Sequence, residues 1–240
     1  MKLPLSFLVT SILLATCEHA AADLTIQIHA SLAGSSNKSA QQMMDRMAKS
    51  TVYIKGNKMR LETSMFDMIV DLDGKKMTMF QPGQKEYSVT PLPAGFTGGL
   101  SAAQLKGLHQ KVTKVGAGSV LGVPCEEYTV SSSMTLPQQA GASAGKTMNV
   151  GTTVWVAKSL PGVNPKAMKA LSALAGGAYG AQLGGYPLKY TIATGNGTMV
   201  IAATAIKPGS ISDSEFRVPS GYKLASGGAQ SMLPGMKSMR

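Results

Sequence analysis

Two cysteines, three histidines, two pairs of carboxylates and a surplus of methionine are the side chains in this sequence with chemistry to offer. Cys125 lies in VLGVPCEEYTV, residues 120 to 130. A cysteine nucleophile needs a base within reach, and beyond the first 22 residues the only histidines are His29 and His109. No thiol-enzyme signature surrounds Cys125, and a mid-strand position suits a small apolar residue better than a nucleophile. Glu126 and Glu127 resemble a carboxylate pair, yet successive strand residues point to opposite faces, so the two cannot share a substrate. Asp71 and Asp73, followed by Gly74, trace a faint calcium-loop outline. Lys75 and Lys76 stand where further oxygen ligands would be needed, so a hairpin turn is the better reading.

The chain has 16 methionines, a number that raises thioether binding of Cu(I) as a question. Met43, Met44 and Met47 cluster, Met77 and Met79 alternate, and Met232, Met236 and Met239 lie near the end. Histidine and cysteine co-ligands are few, and alternation is what core residues do. Methionine is also adaptable packing material, so a pliable apolar interior is expected rather than a metal site. No cofactor is indicated.

The elements that must position these residues are mainly strands. LTIQIHAS, Leu24 to Ser31, alternates apolar and polar residues with the period of a half-buried strand. From Thr51 to Val89 an antiparallel meander is expected, with turns at Gly56-Asn57, Asp73-Gly74 and Pro82-Gly83. Ser101 and Gln104 have capping-box spacing and predict a short helix through SAAQLKGLHQ. Strands return at KVTKV, VPCEEYTV and TTVWVAK, and NPKAMKALSALAGG predicts a helix. Asn164 would cap it, Pro165 suits its first turn, Met168, Leu171 and Ala175 share a face, and Gly176 can end it. A last hairpin turns near Asn196-Gly197. The fold class is mainly β (α+β): a curved antiparallel sheet or incomplete barrel packed on one or two short helices. Residues 31–49 and 131–146 read as loosely structured, and residues 225–240 as a flexible basic tail.

The first 22 residues outline an export signal: Lys2, an apolar run from Leu3 to Ala15, and small residues at Ala20 and Ala22 that fit cleavage after Ala22. The run is too short to span a bilayer, which needs about 20 apolar residues, and no later segment qualifies. Leu14-Ala15-Thr16-Cys17 competes as a lipobox, with Thr16 where a smaller residue is usual; acylation there would make an outer-membrane lipoprotein. Either outcome removes Cys17 as a disulfide partner for Cys125. Residues 23–224 then form one domain, periplasmic or secreted. The net charge of +11 is dispersed, without a nucleic-acid-binding arm. Solubility accounts for it, and outside the cytoplasm an anionic envelope surface is the natural partner for any excess, not nucleic acid.

An ordered set of segments carries a family resemblance: YIKGNKMRLE, MIVDLDGKKMTMF, VLGVPCEEYTV, TVWVAKSLPG, GYPLKYTI and ATAIKPGSISDSEFRVPSGYK. Together they resemble the exported bacterial family called domain of unknown function forty-four twelve, whose fold is similar to lipoprotein-carrier half-barrels of the Lol type. The resemblance implies a curved sheet and helices enclosing an apolar cavity, and together with the alternation in these strands and the pliable methionines it makes Met68, Val70, Leu72, Met77 and Met79 the expected lining. It implies a non-enzymatic envelope protein that binds or carries a lipid or acyl chain. The alternative is an envelope structural or stress-response protein whose cavity is filled by its own side chains. The resemblance also makes Cys125 an inert strand residue.

Overall fold

In a computed structural model, residues 23–35, 38, 41–42, 44, 48–92, 108–135, 147–176, 180–194 and 197–225 are described. They form a single curved, open sheet of twelve strands. The first six are β1 (Leu24–Ala33), β2 (Lys49–Lys55), β3 (Lys58–Thr63), β4 (Asp67–Asp71), β5 (Lys76–Gln81) and β6 (Glu86–Pro91). Next come β7 (Leu108–Val120), β8 (Val123–Thr135) and β9 (Thr147–Ala157), then helices α1 (Pro165–Gly176) and α2 (Gly180–Leu183). The chain closes with β10 (Tyr186–Thr194), β11 (Gly197–Pro208), a 3-10 turn (Asp213–Phe216) and β12 (Lys223–Leu224). Across the sheet the order is β12-β6-β5-β4-β3-β2-β1-β11-β10-β9-β8-β7. The meander and the C-terminal strands therefore meet at the β1–β11 pair. No helix among the described residues is long and apolar enough to cross a membrane.

Turn chemistry fixes the meander. Gly56 takes φ 56°, open to glycine without steric cost. Between β4 and β5 the Asp71 carboxylate accepts from the Gly74 amide at 2.8 Å, which frees Lys75 to adopt φ 48°. The resulting register stacks two apolar rows on one face. Ile26, Val52, Leu61, Met68 and Met79 form one, and Leu24, Ile54, Met59, Val70 and Met77 the other. Helix α1 covers this inner face through Met168 and Leu171.

The opposite, outer face is also covered. A C-terminal strap brings Ile211 and Phe216 onto Ile69 and Phe80, and Tyr222 meets Phe80 edge-on at 5.5 Å. Arg60 ties the strap down, holding Asp67 at 2.7 Å and Glu215 at 2.6 Å while lying over the Tyr53 and Phe80 rings. Strands β4 and β5 thus pack on both faces.

Several expectations need correction. Leu108 to Gln110 belong to β7, so His109 is a strand residue rather than a helical one; residues 101–107 lie outside the described residues. Ser131 to Thr135 continue β8 rather than opening a loop, because pairing with β7 and β9 on both sides outweighs the weak strand preference of serine. Ser31 to Ala33 likewise extend β1, and Lys49 begins β2. The sheet is antiparallel except at one edge, where β12 runs parallel to β6. Asn196 and residues 226–240 lie outside the described residues.

Candidate functional site

Helix α1 is pinned over the inner face at both ends. At its start the Asn164 side chain accepts from the Ala167 amide at 2.9 Å, the capping bond that satisfies an orphan donor, and donates to the Gly56 carbonyl at 3.0 Å. Asp73 receives Lys166 at 2.6 Å and Asn57 at 3.1 Å, so two hairpin turns grip the helix entrance. Lys166 and then Asn57 hold the Asp73 carboxyl below its usual range. At the other end the Tyr190 hydroxyl donates to the Ala175 carbonyl at 2.6 Å, occupying one of the acceptors a helix terminus leaves open.

Between this helix and the sheet lies a cavity of about 260 Å³. Ile28, Val52, Met59, Leu61, Met68 and Val70 wall it from the meander side. Tyr186, Leu188 and Tyr190 of β10, Ile201 and Ala203 of β11, and Leu171 and Ala175 of α1 complete the wall. Ile28, Leu61, Met68 and Ile201 are only half-buried, so the cavity meets solvent along that side. Arg60 is the one charged residue among those described in the wall, and its guanidinium is bound on the outer face.

Strand β10 is brought to the wall by Gly185, where a Cβ would lie 2.4 Å from the Ala157 carbonyl oxygen. Only glycine permits that approach of β10 to β9. Tyr186 follows directly and pairs with Ala157.

Of the five lining residues expected from sequence, Met68 and Val70 lie in the cavity wall. Leu72 and Met77 pack half-buried against the same core without lining the cavity. Met79 sits beside Met68 on the adjoining strand, also outside the wall. Sequence reasoning overlooked the β10 and β11 contribution, although the alternation Tyr186, Leu188, Tyr190 carried the signal.

The other candidate groups are not assembled for chemistry. Cys125 is buried in the core with its Sγ donating to the Val123 carbonyl, and burial pushes its thiol up. His29 and His109 are exposed on β1 and β7. Glu126 is engaged by Lys114, by the Tyr128 hydroxyl and by Lys158, and these partners hold its carboxyl at about 2. Among the described residues, no group of three or more His, Cys, Asp or Glu side chains could hold a metal ion.

An open sheet folded around one pinned helix, with an apolar cavity between them, is the architecture of a half-barrel. Residues 38–222 match the family described as Domain of unknown function (DUF4412), and the chain belongs to it. Similar solved structures include PNGF-II, with a TM-score of 0.47 and 15% identity over 88% of this chain and 32% of that one; this chain thus spans about a third of that protein's length. Lipoprotein LppX of Mycobacterium tuberculosis is similar with a TM-score of 0.32 and 12% identity, over 80% of this chain and 90% of that one. A putative outer membrane lipoprotein-sorting protein domain from Vibrio parahaemolyticus gives 0.25 and 9%, over 82% and 90% respectively. No curated protein matches this chain.

Proposed function

We propose that this is a non-enzymatic envelope protein that binds or carries an apolar, acyl-chain ligand between α1 and the inner face of the sheet. The observation that carries the reading is the cavity itself. Its wall is almost wholly apolar, it meets solvent on one side, and at about 260 Å³ it falls just under the roughly 300–1,000 Å³ usual for small-molecule sites. Methionines at positions 59 and 68 add a pliable surface that can accept chains of varied shape. Export by cleavage after Ala22, in preference to acylation at Cys17, belongs to the same proposal, and intact mass of protein from its own envelope separates the two.

Displacement of a fluorescent acyl probe by ligands of increasing chain length tests the reading. Each buried CH₂ contributes about 0.8 kcal/mol, so affinity should rise about fourfold per methylene until the cavity is full. A flat response in folded protein would leave the structural alternative, and tight stoichiometric Cu(I) binding would replace both.

A further inference from the structure

The reading of the cavity as an acyl-chain site leaves open what lies at the end of the chain, and Tyr186 bears on that. The first residue of β10, it is 3% exposed, and it forms part of the cavity wall. Its hydroxyl has no hydrogen-bond partner among the described residues. Among the described residues, the partnerless polar side-chain atoms sealed from all open space are Arg60 Nε, Asp67 Oδ1 and Ser88 Oγ. The Tyr186 oxygen is not one of them, so it borders open space, and its side chain is part of the cavity wall.

Other polar side chains in the wall are engaged elsewhere or reach solvent. Tyr190 donates to the Ala175 carbonyl, Ser50 is half-buried and within reach of water, and Arg60 directs its charge to the outer face. A phenol in an apolar wall gains most from a ligand atom that accepts its hydrogen bond. Burial also pushes the phenol up, so it stays a neutral donor. An ionised carboxylate brought to the same place would lose its water without meeting a cation, which is far more costly than burying a neutral carbonyl.

Resting on the acyl-chain reading, we infer that the Tyr186 hydroxyl is the polar anchor of this cavity and that its ligand is an uncharged acyl compound with a carbonyl or hydroxyl at that end, not an ionised fatty acid. The anchor sets selectivity, and the apolar wall supplies affinity.

The test compares methyl palmitate, hexadecane and palmitate at pH 8 as competitors of a fluorescent acyl probe, on wild-type protein and on Tyr186→Phe. Wild-type protein should take methyl palmitate more tightly than either competitor. Tyr186→Phe should weaken methyl palmitate roughly 3- to 10-fold and leave hexadecane unchanged. Ligand-free Tyr186→Phe should unfold in urea at the wild-type concentration or above it, since it loses an unpaired hydroxyl and no hydrogen bond. A clear fall in that midpoint would overturn the inference, because it would mean the hydroxyl has a structural partner. Unchanged methyl palmitate binding in Tyr186→Phe, or palmitate bound as tightly as its ester, would overturn it while leaving an acyl-chain site. Failure of all three competitors on wild-type protein would overturn the acyl-chain reading along with it.

Discussion

Arg60 illustrates how much one side chain can hold. Its fork grips Asp67, whose side chain is 5% exposed, and Glu215 on the strap, and it stacks on two rings. Burial pushes the Asp67 carboxyl up, and Arg60 is the largest influence opposing that push. Arg60→Ala should destabilise the fold by about 3–5 kcal/mol, the range for breaking a buried ion pair and leaving its partner unpaired. Arg60→Lys should recover only part of this, because an ammonium cannot bind both carboxylates in the same planar geometry. Urea denaturation of both variants decides the point. Glu126 is the opposite case, a carboxyl lowered from about 4.5 to about 2 by Lys114, then Tyr128, then Lys158. Its folded value lies below its unfolded one, so its contribution is present above about pH 4.5 and is lost as pH falls toward 2. Glu126→Gln should therefore flatten the loss of stability between pH 5 and pH 3, read from the urea midpoint at each pH. Neither network was legible in sequence. Arg60 meets Glu215 across 155 positions, and nothing local to either residue announces the other.

At the scale of elements, legibility followed the range of the forces. Hairpins were readable because Gly56-Asn57 and Asp73-Gly74 carry their turn chemistry within a few residues, and α1 because Asn164-Pro165 and its apolar face lie in one stretch. Strand β7 was harder. Gly116-Ala117-Gly118 looks like a break, yet these residues pair with Glu127, Glu126 and Cys125. Gly118 must stay bare, since a Cβ there would lie 2.6 Å from the Trp155 ring. That glycine answers to a side chain two strands away. The cavity wall was half legible for the same reason: Met68 and Val70 sit in a readable meander, whereas Tyr186 reaches the wall through the contact of Gly185 with β9. Asn164 provides a test at this scale, because it caps α1 and also anchors it to the β2–β3 turn. Asn164→Ala should cost about 1–2 kcal/mol, toward the upper end for a lost cap. It should also raise hydrogen exchange through the first turn of α1 while sparing β7 and β8, a pattern amide-exchange mass spectrometry resolves.

The whole molecule joins two runs of strands at β1–β11, and the cavity lies across that seam, walled by β1–β4 on one side and by β10 and β11 on the other. A ligand held there touches both runs and the helix above them, and its apolar contacts exist only when all three are folded together. Binding should therefore stabilise the entire sheet. For a ligand at 100 times its dissociation constant the gain is about 2.7 kcal/mol, and it should appear as a shift in urea midpoint with an unchanged slope. Met68→Lys sharpens the experiment. Met68 is half-buried, so a lysine there can extend its ammonium to solvent along the open side and leave ligand-free stability within about 1 kcal/mol of wild type. The same charge at the wall should abolish the shift given by methyl palmitate. If Met68→Lys protein kept the full shift, the chain would be bound away from this wall, and the seam would owe its stability to protein contacts alone.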